Sequence, residues 1–145
     1  MREEARWSYG AGAEDATGED RRQKLLTIAL AWTSARNARD RALGADLFVN
    51  PAWDILLELF VDHLRGKRSA VTKVCLSSTA PLTTALRWVT ALEAQRLVER
   101  VPDAQDRRRT FLLLTPEGIQ GMELALEGAA ASDARLGLGR MQLAQ

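Results

Sequence analysis

Between residues 69 and 115 the spacing of the apolar side chains changes from a helical to a strand-like period, and this change limits the fold more than any other feature of the sequence. Two helical patterns, AVTKVCLS and PLTTALRWVTALEAQRL, are separated by a brief turn at 77–80. Two β-like runs follow, LVERV and RRTFLLLT, and PDAQD separates them. A short helix, a turn and a second helix form a helix-turn-helix pattern. The sequence therefore predicts a helix-turn-helix followed by a β-hairpin.

Longer helices are predicted before this segment. One runs from residue 21 to Leu43, with Asp20 as its N-cap and Gly44 as its stop. The next begins at Asn50-Pro51, because asparagine caps helices and proline suits their first position. Gly66 is placed to end it.

A further helix is predicted after the hairpin, beginning at Thr115-Pro116-Glu117. Gly128 weakens it, and SDARLGLGRMQLA is predicted to form a last short helix. Residues 1–20 have no sustained period and are expected to form a poorly ordered acidic tail.

These elements predict a mainly α fold with a small β-hairpin wing, which is a winged helix-turn-helix with flanking helices. The domain is expected to span 21–145, with the winged helix-turn-helix at 50–115 and the flanking helices at 21–44 and 116–145.

The charge is uneven along the chain although the formal net charge is only +1. Residues 1–20 carry six acidic and two basic side chains, whereas residues 65–115 carry ten basic and four acidic ones. Such a concentration of positive charge favours a polyanionic partner. On charge alone, a solvated surface that is rich in arginine explains the pattern equally well.

The composition argues against an enzyme or a metalloprotein. One cysteine and one histidine are too few for a disulfide framework or a multi-cysteine or multi-histidine metal site. The sequence has no glycine-rich phosphate loop and no nucleophile with a nearby base motif. We therefore expect no catalytic residue, no bound metal and no cofactor.

The apolar runs are far shorter than the roughly 20 residues that a membrane helix needs. The N-terminal MREEARWSYG lacks the apolar region of a secretory signal. We expect a cytoplasmic protein that does not associate with a membrane, and the single cysteine agrees with a reducing compartment.

Four residues on apolar stripes are predicted to lie in the core. Trp32, Trp53 and Trp88 each follow the helical spacing of buried positions, which favours packing over contact with a ligand. Cys75 lies among apolar neighbours, and a small buried residue is a better interpretation than a redox sensor.

The stretch TTALRWVTALEAQRLVERVPDAQDRRRTFLLLTPEG resembles the recognition helix and wing of the MarR family of bacterial transcriptional regulators. The most specific markers are LVERVPDAQDRRRTFLLLT and the TPEG that restarts a helix, and the resemblance covers roughly residues 50–125. Two positions depart from the family pattern. Arg96 replaces the usual glycine that closes the recognition helix, and Gln105 replaces a common wing arginine. A positive φ at Arg96 costs of order 1 kcal/mol.

The resemblance implies a homodimer held by the first and last helices, with two recognition helices in successive major grooves and wings in the flanking minor grooves. It also implies a small-ligand pocket between the dimerisation and DNA-binding parts, whose effector the sequence does not identify. The residues predicted for dimerisation are apolar: Leu25, Ile28, Trp32, Met122 and Leu126.

The predicted contacts of the recognition helix lie in its first half. Arg87 precedes a predicted core position, so it should project from the exposed side, where arginine reads guanine or grips phosphate. Base edges are approached near the N-terminus of such a helix, and a leucine contacts a thymine methyl group. The predicted set is Thr79, Leu82, Thr83, Thr84 and Arg87, with Thr79 also a candidate helix cap.

Two further groups are predicted to contact DNA. Lys67, Arg68 and Ser69 precede a helix N-terminus, which suits phosphate, although a solvated loop explains them nearly as well. Ser69 is also the predicted cap of that helix. In the wing the candidates are Asp106, Arg107, Arg108 and Arg109. Asp106 and Arg108 are expected to shape the wing, and Arg107 to enter the minor groove, with Arg109 as its competitor.

The sequence thus predicts a dimeric regulator that binds specific sites in double-stranded DNA. The alternative is a winged-helix interaction module whose recognition helix contacts another protein, because folds of this kind serve both purposes.

Overall fold

A computed structural model describes residues 13–136 of the chain. Its helices are α1 (Ala13–Leu43), α2 (Pro51–Leu64), α3 (Val71–Ser77), α4 (Leu82–Ala94) and α5 (Pro116–Leu136), with a 3-10 helix at Ala45–Leu47. Its strands are β1 (Ser69–Ala70), β2 (Val98–Pro102) and β3 (Thr110–Leu114). The strands form one antiparallel sheet in the order β1-β3-β2. The predicted fold class, mainly α with a small β wing, is confirmed.

The predicted ends of the helices around α2 are correct. Gly44 follows α1 with a φ of 102°, and Gly66 follows α2 with a φ of 66°. The Asn50 side chain accepts a hydrogen bond from the Trp53 N–H at 3.4 Å, as an N-cap does. After α2, the Lys67 N–H donates to the Asp62 carbonyl at 2.8 Å, which closes the helix in the manner typical of a glycine stop.

The outer helices are longer than predicted. Helix α1 begins at Ala13, so the predicted tail is wrong for residues 13–20, while residues 1–12 lie outside the described residues. Just after these residues, Arg21 pairs with Glu123 and Glu127 of α5.

Helix α5 continues through Gly128 to Leu136 without a break. A glycine inside a helix costs only about 1 kcal/mol, and the burial of Met122 and Leu126 in the same helix offsets that cost. The rest of the predicted last helix lies outside the described residues.

The sheet contains a strand that the sequence pattern did not indicate. Ser69 and Ala70 pair with Leu112 and Phe111 of β3. The prediction of Ser69 as a helix cap is wrong, because strand pairing holds its backbone extended and Ala70 takes the N-cap position of α3. Its buried hydroxyl instead accepts a hydrogen bond from Lys73 Nζ at 3.2 Å.

Thr79 is also not a cap. Pro81 occupies the N-cap position of α4, and no side chain caps that helix. Thr79 lies exposed in the turn before it.

Helix α2 lies at the centre of the core and packs against α1, α3, α4, α5 and β3. For this reason Leu57 is buried as well as Ile55 and Phe60. The largest fully buried side chains come from five elements: Phe60, Ile55, Leu57, Leu112, Leu126, Val74, Val89 and Cys75.

Arg96 adopts the left-handed conformation that its position after α4 requires, with a φ of 61°. Its N–H donates to the Glu93 carbonyl, and the Leu97 N–H donates to the Leu92 carbonyl. These two hydrogen bonds form a Schellman motif, in which glycine is the favoured residue at the left-handed position.

Replacing Arg96 with glycine is therefore expected to stabilise the protein by roughly 0.5–1 kcal/mol, because the gain from a relaxed φ exceeds the extra entropy of the unfolded chain. Urea unfolding measures this difference. Arg96→Ala is the control, since alanine keeps a Cβ and gains little. Equal stability of the two variants would contradict backbone strain at this position.

Candidate nucleic-acid interface

Helix α4 presents a polar face opposite its buried stripe. Ala85, Val89 and Leu92 are buried. With 3.6 residues per turn, Thr83 and Arg87 fall together on the opposite face, and both are exposed. The predicted orientation of Arg87 is confirmed.

The other predicted contacts of this helix lie around that face. Leu82 is 40% exposed at the first position of α4, and Thr84 is half-buried at its flank. Trp88 is 44% exposed, so its predicted place in the core is wrong. It lies at the edge of the buried stripe, and Ala85, Val89 and Leu92 already fill the space against the core.

The wing is a β-hairpin, and two aspartates hold its loop, residues 103–109. Asp103 Oδ1 accepts from the Gln105 N–H at 2.9 Å, and Asp106 Oδ1 accepts from the Arg108 N–H at 3.1 Å. The main chain closes the loop with a hydrogen bond from the Asp103 N–H to the Arg109 carbonyl. These short contacts fix the loop on which the wing arginines are carried.

The three wing arginines differ in their partners. Arg108 Nε lies 3.5 Å from Asp106, and Arg109 Nε lies 3.7 Å from Asp103. Among the residues that the structure describes, Arg107 has no ion pair and no side-chain hydrogen bond, and it is exposed. Its guanidinium group is thus available to a partner outside the chain.

Arg100 contributes to the basic count of this region but is already paired within the chain. Its Nε donates to Glu93 of α4 at 2.8 Å, and its Nη2 lies 3.3 Å from Thr90 Oγ1. These contacts join strand β2 to helix α4 and fix the wing beside it. No sequence signal indicated this positioning role, because the partners lie on a different element.

The three residues predicted to contact phosphate do not all lie on the surface. Lys67 and Arg68 are exposed in the loop before β1. Ser69 is only 4% exposed and its hydroxyl is bonded to Lys73, so its side chain is not part of the surface.

Some of the residues predicted for dimerisation are buried within the single chain, and others are exposed. Leu25, Met122 and Leu126 are buried in the core of the single chain. Ile28 is half-buried, and Trp32 is 40% exposed. The helical spacing of Trp32 predicted a core position, and this prediction is wrong. The Trp32 ring contacts Trp53 edge to face, with ring centroids 5.7 Å apart.

A cavity of about 490 Å³ lies between α1 and α2 beside these two rings. Its lining residues are Trp32, Ala35, Arg36, Arg39, Asn50, Trp53 and Asp54. It lies between the long first helix and the winged helix-turn-helix, where the resemblance implies a small-ligand pocket. Binding of a ligand there stays a prediction.

Among residues 13–136, no group of three or more His, Cys, Asp or Glu side chains is placed to hold a metal ion. Cys75 is fully buried, as predicted, and burial raises the pKa of its thiol. A thiol in this state is a poor nucleophile. In the same part of the chain, no helix has the length and apolar composition to cross a bilayer.

Comparison with known proteins relates the chain to solved structures only. No protein-family model and no curated protein matches it. MepR of Staphylococcus aureus, described as a transcription regulator of the multidrug efflux pump MepA, superposes with a TM-score of 0.52 at 18% identity, over 77% of this chain and 78% of MepR. A mutant MepR bound to an oligodeoxyribonucleotide gives a TM-score of 0.53 at 20% identity, over 76% of this chain and 78% of the other.

AF1382 from Archaeoglobus fulgidus has a similar structure, with a TM-score of 0.51 at 17% identity, over 66% of this chain and 97% of that protein. At these identities the comparisons establish the fold. The chain has a winged-helix fold like that of MepR.

Proposed function

We propose that this winged-helix chain is a MarR-type transcriptional regulator that binds specific sites in double-stranded DNA as a homodimer and carries out no catalysis. One observation carries the proposal: α4 directs Thr83 and Arg87 away from the core, while the adjacent wing presents Arg107, which has no ion pair within the described residues. A helix face of this kind suits a major groove, and an exposed arginine suits a narrow minor groove. The oligodeoxyribonucleotide bound to the MepR mutant supports the same use of the fold.

A salt titration with random and selected duplexes tests the proposal. We expect the affinity to fall steeply with salt, because each neutralised phosphate releases counterions. We also expect a large ratio between specific and random affinities, as an operator-reading protein requires. Weak salt dependence, or equal affinities for all duplexes, would contradict sequence-specific binding.

Arg87 and Lys67 are expected to contribute differently to that affinity. Arg87→Ala should cost about 1–3 kcal/mol at one base pair and relax discrimination there, whereas Lys67→Ala should weaken all duplexes and reduce the salt slope by about one unit. Arg41, exposed at the end of α1, provides a charge-matched control whose replacement should change neither quantity. If Arg87→Ala weakens specific and random duplexes equally, Arg87 holds phosphate only.

The dimer is supported by large apolar side chains that the single chain leaves exposed on its outer helices. On α1 these include Leu30 and Trp32, and on α5 Leu124 is 66% exposed. Exposed apolar patches of this kind mark interaction surfaces. Two helix-turn-helix units must also be paired to read half-sites roughly 34–36 Å apart.

Sedimentation equilibrium at tens of micromolar is therefore expected to show a dimer for the unmodified chain. Leu124→Glu should weaken association more than tenfold, because it places a charge in an apolar contact. Leu76→Glu is the control, since Leu76 is 69% exposed but lies on α3 and not on either outer helix. A monomeric unmodified chain would contradict the dimer.

The second candidate, a protein-interaction module, is favoured by one specific feature. Leu76, Leu82 and Trp88 are large apolar side chains that remain exposed on the helix-turn-helix. Such a group suits the surface of another protein as well as the methyl groups of thymine. Failure to bind any duplex at low salt would favour this candidate over the regulator.

A further inference from the structure

The outer face of the wing sheet carries an aromatic ring that the core does not use. Side chains alternate between the two faces of a strand, and Leu112 and Leu114 of β3 are buried against the core. Phe111 therefore points to the opposite face, where its register partners are Ala70 of β1 and Val101 of β2. It is half-buried there.

Two arginines from different parts of the chain lie over this ring. The guanidinium carbon of Arg109, at the end of the wing loop, is 5.1 Å from the ring centroid of Phe111. That of Arg68, in the loop before β1, is 5.9 Å from the same centroid. Both distances lie within the roughly 6 Å over which a cation is attracted to an aromatic face.

The N–H groups of these arginines are largely unused within the chain. Among residues 13–136 the Arg68 side chain has no ion pair or hydrogen-bond partner, and Arg109 has one ion pair, at 3.7 Å to Asp103. A guanidinium group that stacks on a ring keeps its edge N–H donors, and their fork matches two phosphate oxygens. Two such groups on one ring are thus placed for an anionic backbone.

We propose that Phe111 is a positioning residue that holds Arg68 and Arg109 together as one phosphate-binding site on the wing side of the recognition helix. This inference rests on the proposed DNA-binding function and adds a residue to it. The ring restricts both arginines before DNA is bound, so less side-chain freedom is lost on binding. Since the site contacts only the backbone, its contribution is the same for every sequence.

Double-mutant cycles with a random-sequence duplex, measured by fluorescence anisotropy at low salt, test the proposal. The variants are Phe111→Leu, Arg68→Ala, Arg109→Ala and the two pairs that contain Phe111→Leu. Phe111→Leu is expected to weaken binding about two- to fivefold, which is the strength of exposed cation–ring contacts. In the Phe111→Leu background, each arginine replacement should weaken binding less than it does in the unmodified chain.

Two further variants separate positioning from packing. Phe111→Tyr keeps an aromatic face and should retain the unmodified affinity. Leu113→Ala alters a half-buried side chain on the same outer face that has no ring to attract a cation, and it should also bind normally. Thermal unfolding of each variant shows whether it is folded.

The outcomes distinguish this inference from the function on which it rests. Additive effects of Phe111→Leu and the arginine replacements would overturn the positioning role while DNA binding stands. Normal binding by Arg68→Ala and Arg109→Ala would overturn the phosphate site. An unmodified chain that binds no duplex would overturn the proposed function, and this inference with it.

Discussion

Replacing Gly118 with alanine is expected to destabilise the protein by about 3 kcal/mol, because the new methyl group meets main chain and not a flexible side chain. A Cβ at this position would lie 2.1 Å from the Leu97 carbonyl oxygen and 3.0 Å from its carbon. That oxygen also accepts the Thr115 N–H at 3.0 Å. Relief of the clash must therefore separate the start of α5 from the segment that leads into β2.

Thr115 shows why this junction matters to the proposed DNA-binding surface. Its hydroxyl donates to the Arg96 carbonyl at 2.6 Å and accepts the Gly118 N–H at 3.0 Å. The end of α4, the start of the wing and the start of α5 are therefore joined at one point. We expect Gly118→Ala to weaken specific DNA binding as well as stability.

Gly121 provides the matched control for this experiment. It lies in the same helix, is exposed, and a Cβ there would have no heavy atom within 4 Å. Gly121→Ala should stabilise the protein by about 0.5–1 kcal/mol through helix propensity. Urea unfolding measures both variants, and a Gly118→Ala protein as stable as the Gly121→Ala protein would contradict the close approach at Leu97.

Asp54→Ala is expected to cost about 3 kcal/mol, because it leaves the partly buried guanidinium group of Arg36 without the carboxylate that it is bonded to. Asp54 is 5% exposed, and its Oδ1 accepts from Arg36 Nη1 at 2.8 Å. The Nε of Arg36 is already buried without a hydrogen-bond partner. Loss of the carboxylate therefore removes the main compensation for burying this cation. Chemical denaturation measures the change.

Two comparisons show whether the pair itself is responsible. Asp54→Asn keeps an oxygen that accepts from Arg36 and should be destabilised less than Asp54→Ala. Combining Asp54→Leu with Arg36→Met removes both charges and should recover much of the loss, as replacement of a buried pair by apolar residues does. A double variant as unstable as Asp54→Ala would mean that the volume of Asp54 matters more than its charge.

The half-buried Glu58 lies one helical turn after Asp54 on α2. Burial raises the pKa of its carboxyl, a hydrogen bond from Ser77 opposes the shift, and the negative charge of Asp62 adds to it. Its charge is therefore less favourable in the folded chain than in the unfolded one. Glu58 contributes stability at low pH that is lost as the pH rises through its folded pKa.

Local chemistry was enough to predict most of the helices and strands, and also the exposed side chains of the candidate DNA-binding surface. Asn50-Pro51, Gly44 and Gly66 act through their own backbone preferences, so their roles can be read without knowledge of the fold. The alternation of side chains between the two faces of the wing strands follows from local backbone geometry, and so does the direction in which Arg87 projects from α4.

Tertiary packing determined the remaining features, since each depends on contacts between distant segments. Sequence patterns alone were sufficient for the order of the main helices and the two wing strands, for the winged-helix pattern and for the position of Arg87 on the outer face of α4. Tertiary contacts placed Ser69 in a third strand and left Trp88 outside the core. They also buried Leu126 in the core of one chain, where the sequence had indicated a dimer contact. Tertiary packing likewise brought Phe111 beneath two arginines. A residue's local period gives the direction of its side chain, whereas the neighbouring element decides whether that direction leads to solvent, to the core or to another charge.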